Sequence, residues 1–280
     1  MNPILLAVII VSVIGLVLGL ILAIASIVMA VPVDEKAEKI EGALAGANCG
    51  ACGYSGCAGY AEALSKGETT DTTLCSPGGE ETVKAIAEIL GVATTKTVPQ
   101  TAVVRCQGSA EYCKPVMNYH GALSCKAATQ LFKGGKACNY GCLGFGDCVE
   151  ACPYDAIHIN DKGLAEVDSL NCRACKICIN TCPKNVIELV PLYRKEAVVY
   201  CNNTDKGAQT RKECSVGCIG CMKCKKVCPE EAIDVKNFLA HVDQTKCIGC
   251  GECVEGCPTG CLKLSSFGKI VVVDTPSEKQ

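Results

Sequence analysis

Twenty-six cysteines dominate the chemistry available to this 280-residue chain. Most lie in tight groups in which two residues separate neighbouring cysteines and a proline follows the last one. Disulfide-stapled secreted domains are also rich in cysteine, but thiols this close together favour a shared metal centre. A zinc site usually takes two CxxC pairs, whereas three cysteines here follow one another as CxxCxxC. We therefore expect iron-sulfur clusters, with zinc and disulfides as the alternatives.

Three loops have the spacing CxxCxxCxxxCP, which is typical of bacterial ferredoxins. They contain Cys172, Cys175, Cys178 and Cys182; Cys218, Cys221, Cys224 and Cys228; and Cys247, Cys250, Cys253 and Cys257. In two-cluster ferredoxins the fourth cysteine of a loop binds the cluster of the other loop. This rule assigns the later pair of clusters to Cys218, Cys221, Cys224 and Cys257, and to Cys228, Cys247, Cys250 and Cys253.

A fourth loop, GCLGFGDCVEACP at 141–153, has an apolar residue at a ligand position. It matches the register of GCIGCMKCKKVCP at 217–229, but Phe145 stands where the later loop has Cys221. Cys138 lies four residues before Cys142, and we expect it to supply the missing thiolate. The resulting clusters are Cys138, Cys142, Cys148 and Cys182, and Cys152, Cys172, Cys175 and Cys178. A three-cysteine cluster with an open iron, or a three-iron core, is the alternative.

The stretch NCGACGYSGCAG at 48–59 begins a different cysteine group. Its members are Cys49, Cys52, Cys57 and, 18 positions later, Cys75. The glycine, alanine and serine between them let backbone N–H groups approach cluster sulfides closely. We predict a fifth 4Fe-4S cluster here, with a zinc knuckle as the alternative.

Several cysteines remain outside these groups. Cys106, Cys125, Cys201 and Cys214 precede the loops, two in each half of the cysteine-loop region, and form a hypothetical sixth site. Ordinary buried thiols are the alternative. Cys113 and Cys261 are interpreted as packing residues.

An internal repeat organises the second part of the chain. TAVVRC at 101–106 returns as EAVVYC at 196–201, and each precedes a pair of cysteine loops that end in short apolar runs. We predict an α+β fold with a small helical 4Fe-4S domain and two tandem bacterial-ferredoxin-like 2[4Fe-4S] modules. The predicted segments are a transmembrane helix at 1–32, the N-terminal cluster domain at 33–95, modules at 96–195 and 196–268, and a tail at 269–280.

Residues 3–32 contain no charged side chain, and the first ionisable one is Asp34. At about 1.5 Å per residue, 20 of them would cross a hydrocarbon core of about 30 Å. A signal peptide would carry a basic segment and a shorter apolar run. A buried core helix is the other alternative. Because reduced thiolate clusters need a reducing compartment, we expect a single-pass protein of the cytoplasmic membrane with its cluster domains on the cytoplasmic side.

The remaining features exclude several functions. The net charge of −2 gives no basic surface for nucleic acid, and five bound clusters would take it to about −12. The sequence contains neither GxxxxGK[ST] nor GxGxxG after a strand, and no acid-base constellation. The chain itself is therefore expected to move electrons without making or breaking bonds.

An apolar N-terminal helix, the NCGACGYSGCAGYAEAL segment and the later cysteine loops, in that order, resemble the B subunit of the Rnf complex. That complex is an ion-translocating ferredoxin:NAD oxidoreductase, and the two modules resemble its longer form. The resemblance implies an electron-relay subunit that accepts electrons from soluble ferredoxin and passes them to the other Rnf subunits, while the complex moves Na⁺ or H⁺. The cysteine groups themselves predict five 4Fe-4S clusters, and because the N-terminal cluster lies nearest the membrane helix in the sequence, we expect it to be the exit.

Two other functions stay open. The four-cysteine N-terminal domain also resembles the small cluster domain of corrinoid iron-sulfur proteins, which would make the chain an electron donor to methyl-transfer enzymes. A membrane-anchored redox sensor or assembly scaffold is the second. A relay needs several reversible low-potential clusters, whereas a sensor needs one labile centre.

Overall fold

The computed structural model describes residues 3–28, 34–94, 98–192 and 195–265. The predicted C-terminal tail at 269–280 lies outside these residues. Helices and short two-stranded sheets alternate along the chain, so the α+β class is confirmed.

Helix α1, Pro3–Val28, is 26 residues long and contains no acidic or basic residue. Its side chains are described at residues 3, 4 and 9–25. They are exposed throughout most of this length, with Leu16 at 71% and Leu22 at 70%. Measured over the described residues alone, none of the helices combines the length and apolar character that a membrane span requires. The transmembrane segment therefore stays a prediction.

Three helices pack into the N-terminal domain. They are α2, Glu35–Ala43; α3, Cys57–Ser65; and α4, Gly79–Leu90, which follows a 3-10 turn at Ser76–Gly78. Asp34 begins α2 by accepting hydrogen bonds from the backbone N–H of Lys36 at 2.9 Å and Ala37 at 3.3 Å. Gly91 ends α4 in the left-handed conformation, with φ of 71°. The core between the helices contains Ile40, Leu44, Tyr60, Leu64 and Ile86.

Both ferredoxin-like modules have the same plan, in which the first strand pairs with the last and a hairpin lies between. In the first module, β1 (Gln100–Val104) pairs antiparallel with β4 (Ile187–Pro191), and β2 (Ile157–Ile159) with β3 (Ala165–Val167). Its helices are α5 (Cys125–Phe132), α6 (Asp147–Glu150) and α7 (Ile177–Thr181).

In the second module, β5 (Glu196–Val199) pairs with β8 (Leu262–Ser265), and β6 (Ile233–Lys236) with β7 (Leu239–Val242). Its helices are α8 (Gly207–Glu213), α9 (Lys223–Val227) and α10 (Glu252–Glu255). The apolar runs after the CP motifs are therefore strands, and the sequence repeat corresponds to a structural repeat.

Arg105 forms hydrogen bonds that connect the two modules. Its Nε donates to the backbone oxygen of Val199 at 3.3 Å, and its Nη2 donates to that of Cys201 at 3.1 Å. Its Nη1 pairs with Glu188 at 2.5 Å within the first module. Because the guanidinium spans β1, β4 and the end of β5, it fixes the modules in one relative orientation.

Candidate iron-sulfur centres

Three cysteine groups in the modules each surround one cavity, and each contains the four residues that the loop spacing predicts. The cavities have volumes of about 20, 20 and 10 Å³. In that order, the predicted ligands lining them are Cys152, Cys172, Cys175 and Cys178; Cys218, Cys221, Cys224 and Cys257; and Cys228, Cys247, Cys250 and Cys253. The CP cysteines thus cross to the partner loop, as the ferredoxin rule requires. Cluster binding at each cavity stays a prediction.

The arrangement of the thiols fits a polynuclear centre. All 26 cysteines lie in the described ranges, and all are free thiols. Across the described part of the chain, no three or more His, Cys, Asp or Glu side chains are arranged to hold a single metal ion. In a 4Fe-4S cube each thiolate binds a different iron, so four thiols surround a core without converging on one point.

Backbone N–H groups point at several of the sulfurs. The N–H of Ala102 donates to Cys172 Sγ at 3.4 Å, and that of Ala232 donates to Cys228 Sγ at 3.3 Å. Hydrogen bonds to cluster sulfurs are one of the means by which a protein sets the reduction potential. The backbone amides of these two residues therefore stabilise negative charge on the thiolates.

Burial disfavours the ionisation of the metal-free thiols. It raises the pKa of Cys148, Cys178 and Cys253 to about 12 each, with neighbouring thiolates adding to the effect. It raises the pKa of Cys224 to about 11. Iron must therefore displace these protons when a cluster assembles, so binding releases protons.

The N-terminal domain gathers its own four cysteines beside its core. Cys52, Cys57 and Cys75 pack against the core cluster, and burial raises the pKa of Cys75 with thiolates of Cys57 and Cys49 adding. Asn48 fixes the turn by accepting a hydrogen bond from the Cys57 N–H at 2.8 Å. The four predicted ligands Cys49, Cys52, Cys57 and Cys75 are thus brought together.

This N-terminal group lies against the first module. Lys176 Nζ donates to the backbone oxygen of Ala51 at 3.3 Å. Burial raises the pKa of Tyr154, and thiolates from both sides, Cys175 and then Cys49, raise it further. The N-terminal site and the Cys152, Cys172, Cys175 and Cys178 site are therefore neighbours, with Tyr154 between them.

Cys125 lies beside the loop that has Phe145 in place of a cysteine. Burial raises the pKa of its thiol, and the backbone of Phe145 and of Asp147 opposes this rise. Burial raises the pKa of Cys148 to about 12, and the nearby thiolates of Cys142, Cys182 and Cys125 contribute to this rise. The structure therefore groups Cys125, Cys142, Cys148 and Cys182.

Asp147 and Phe145 hold Cys125 at this position. Asp147 Oδ1 accepts from the N–H of Cys125 at 2.7 Å, and its Oδ2 accepts from Ser124 Oγ at 2.9 Å. The carboxylate thus caps α5 from outside the helix, at the positive end of its dipole. The Phe145 ring packs on Tyr119, with centroids 5.5 Å apart, and supports the insert that carries Cys125.

Cys138 lies apart from the position that its loop spacing suggests, and its ligand role stays a prediction. Its N–H donates to Cys113 Sγ at 3.4 Å, and its own thiol accepts from Asn203 Nδ2 at 3.5 Å, so it faces the second module. It lines a separate cavity together with Cys106, Cys113, Cys201 and Cys214. Loop spacing could not show this, because it counts residues along one loop and ignores the insert that returns to it. Relative to the sequence hypothesis, Cys125 and Cys138 exchange places.

The two cysteines interpreted as packing residues are buried beside predicted ligands. Cys113 is 1% exposed and Cys261 is 2% exposed. Cys261 Sγ lies 3.6 Å from Cys257 Sγ. At the other extreme, Cys221 and Cys250 are exposed, so both predicted clusters of the second module reach the surface.

Family models match the four cysteine regions. A model described as an Fe-S cluster matches residues 44–77, and a 4Fe-4S dicluster domain matches 217–261. Two models of 4Fe-4S binding domains match 142–156 and 169–189. Several 4Fe-4S sites are therefore shown, while Cys106, Cys125 and Cys138 lie outside the matched ranges.

Curated relatives cover most of the chain. The B subunit of the "Ion-translocating oxidoreductase complex" of Methanosarcina acetivorans is 38% identical over 80% of this chain and 84% of its own length. The chain belongs to this family of B subunits. A further B subunit, from the "Na(+)-translocating ferredoxin:NAD(+) oxidoreductase complex" of Acetobacterium woodii, is 41% identical over 88% of this chain and 73% of its own length.

The corresponding B subunit of the "Proton-translocating ferredoxin:NAD(+) oxidoreductase complex" of Clostridium ljungdahlii is 40% identical over 88% of this chain and 86% of its own length. The predicted resemblance to the Rnf B subunit is thus confirmed. This B subunit contains several 4Fe-4S domains, and the Na⁺- and proton-linked relatives are almost equally similar to it.

Proposed function

We propose that this B subunit relays electrons from reduced ferredoxin toward the other subunits of a membrane complex. That complex couples electron transfer to NAD with the translocation of Na⁺ or H⁺. The curated relatives carry these activities in their names. This chain contributes to that electron transfer through a series of cysteine groups that are predicted to bind 4Fe-4S clusters.

The observation that carries this proposal is the contact between successive cysteine groups. The N-terminal group meets the first module at Tyr154, and the first module meets the second along Arg105. A soluble donor and a membrane acceptor need such a continuous row, whereas a sensor needs one centre. When bound, each 4Fe-4S cluster accepts and releases one electron at a time.

The residues of the chain hold and tune these clusters. Cysteine thiolates fix the irons, and backbone N–H groups such as that of Ala102 stabilise the added charge on sulfur. Buried side chains around the sites limit the access of water, except at the exposed Cys221 and Cys250. No proton transfer or nucleotide binding is assigned to this chain.

We assign α1 as the membrane anchor of this subunit. The uncharged sequence at 3–32 and the exposed apolar side chains of α1 support this assignment. Thiolate-ligated clusters require a reducing compartment, which puts residues after 33 on the cytoplasmic side. The partners are then the other complex subunits and soluble ferredoxin.

The direction of transfer follows from the positions of the sites. The N-terminal site is next to α1 in the sequence, so it is the exit toward the membrane subunits. The second module has the exposed predicted ligands Cys221 and Cys250, where a soluble donor can approach. Electrons therefore run from the second module, through the first, to the N-terminal domain.

Cys52→Ala in the assembled complex tests this order. The other clusters should still be reduced by ferredoxin, while transfer to NAD is abolished. Ser55→Ala, in the same exposed loop, should leave both steps unchanged. Unimpaired onward transfer in the Cys52 variant would refute the order.

A further inference from the structure

We propose that Cys106, Cys138, Cys201 and Cys214 hold a sixth 4Fe-4S cluster at the junction of the two ferredoxin-like modules. The four thiols line one cavity of about 20 Å³. The three cavities with standard ferredoxin ligands have volumes of about 10 to 20 Å³. The junction therefore has space for a centre of the same kind. The inference deepens the proposed relay, but it requires only that the chain binds 4Fe-4S clusters.

The internal repeat supplies the four thiols as two equivalent pairs. Cys106 and Cys201 follow the equivalent strands β1 and β5, in TAVVRC and EAVVYC. Cys138 and Cys214 each lie four residues before the first cysteine of a loop, Cys142 in one module and Cys218 in the other. Each module therefore contributes two ligands. A duplicated module that meets its copy face to face produces such a four-ligand site.

Glycines keep the space between these thiols open. A Cβ built on Gly108 would lie 3.3 Å from Cys214 Sγ and 3.7 Å from Cys106 Sγ. A Cβ on Gly141 would lie 3.5 Å from Cys106 Sγ and 3.9 Å from Cys138 Sγ. A Cβ at Gly108 would press on the Cys214 sulfur, whereas one at Gly141 would be in ordinary contact with two ligand sulfurs. Both glycines therefore lie directly against the proposed ligands.

Donors and cations surround the junction. Asn203, which is 1% exposed, donates from Nδ2 to Cys138 Sγ and from its backbone N–H to Cys201 Sγ, both at 3.5 Å. Lys136 and Arg105 also line the cavity. Lys136 Nζ is held there by the backbone oxygens of Gly108 at 3.1 Å and Cys142 at 2.7 Å. Two cations suit a centre that carries about two negative charges with its four thiolates.

The junction ligands are linked to the neighbouring sites on both sides. Gly141 and Gly217 line the junction cavity, and they directly precede Cys142 and Cys218 in the sequence. Cys142 and Cys218 are themselves the first ligands of the adjacent loops. A cluster at the junction would therefore lie between the first cysteine loops of the two modules.

Cys113 is the fifth cysteine at this cavity and is not assigned as a ligand. It belongs to the insert of the first module, and the repeat gives it no partner in the second. Its thiol contacts Cys214 and accepts the Cys138 N–H. It thus lines the cavity beside two proposed ligands, and it serves as a matched control of the same residue type and burial.

Iron and acid-labile sulfide on the anaerobically purified full chain test the site. Wild type should contain about 24 iron atoms per chain, and Cys106→Ala and Cys201→Ala about 20 each. Cys113→Ala should keep the wild-type amount. Full iron in both ligand variants would overturn the proposal, and loss in Cys113→Ala with retention in Cys214→Ala would overturn the ligand set.

Native mass spectrometry of the wild-type chain keeps the test independent of variant folding. A mass that corresponds to six cubes supports the junction site, whereas a stable maximum of five overturns it. A chain with five clusters and intact electron transfer would contradict the sixth site but remain consistent with the proposed relay. The failure of the two proposals is therefore distinguishable.

Discussion

Asp147 Oδ1 accepts a hydrogen bond from the backbone N–H of Cys125 at 2.7 Å, and Asp147 belongs to the loop in which Phe145 replaces a cysteine. We therefore propose that the ligand position has moved from the loop to the start of α5. Phe145 is not a defect, because its ring supports the insert through Tyr119.

Cys125→Ala should remove one cluster from the first module, which is about four iron atoms per chain. Adding Phe145→Cys to this variant should restore them, because the loop then regains the CxxCxxCxxxCP spacing. Iron analysis and electron paramagnetic resonance of the reduced chain would measure both effects. A Cys125→Ala variant with full iron would contradict the assignment.

Asp147→Ala should loosen the same site without removing a ligand. The carboxylate caps α5 by accepting from the N–H groups of Cys125 and Lys126 at 2.7 and 3.0 Å. Loss of a cap costs about 1 kcal/mol, so iron should leave this cluster faster in the presence of a chelator. Asp161→Ala, at an exposed turn, is the control, and equal release rates in both variants would argue against the role of Asp147.

The cysteine loops, their ligand crossing and the strands after each CP motif follow from spacing, because those ligands lie within one short loop or its repeat. The partner of Cys142 could not be found in this way. It depends on how residues 107–137 fold back, which the Asp147 cap and the Phe145 and Tyr119 contact determine. The sequence spacing shows that Cys138 and Cys214 occupy equivalent positions. It does not show that the two modules meet where these two thiols lie.

Gly108→Ala should disturb the junction cluster selectively. The new methyl group would lie 3.3 Å from Cys214 Sγ, tighter than ordinary contact, and a sulfur bound to iron cannot yield. We expect altered resonance of one centre or loss of up to about four iron atoms. Gly42→Ala, a helix position with nothing within 4 Å, is the control. Identical spectra for both variants would count against a cluster at the junction.

Removal of iron should unfold the two modules before the N-terminal helices. Six of the buried core residues of the second module are cysteines, and its two-stranded sheets are marginal alone. The N-terminal core also contains Ile40, Tyr60 and Ile86, so it should retain more helix. Hydrogen exchange of the iron-free chain would show this, and protected strand amides in the modules would contradict it.

Alkaline pH should destabilise whatever fold the iron-free modules keep. Burial raises the pKa of Cys148, Cys178 and Cys253 to about 12, above the value of about 8.5 for an exposed thiol. The folded state therefore binds these protons more tightly than the unfolded state does. The resulting contribution to the free energy of unfolding is fully present below pH about 8.5 and is lost as the pH rises toward 12. A melting temperature that rises over this range would contradict the shifts.

The continuity of the relay is tested most directly by rapid-freeze electron paramagnetic resonance of the full chain mixed with reduced ferredoxin. In wild type, signals of the second module should appear first and that of the N-terminal cluster last. In Cys201→Ala the second module should still be reduced, while reduction of the N-terminal cluster slows strongly. Reduction of the N-terminal cluster at the wild-type rate in that variant would contradict a junction cluster as a step of the relay, and reduction of the N-terminal cluster before the second module in wild type would contradict the relay order.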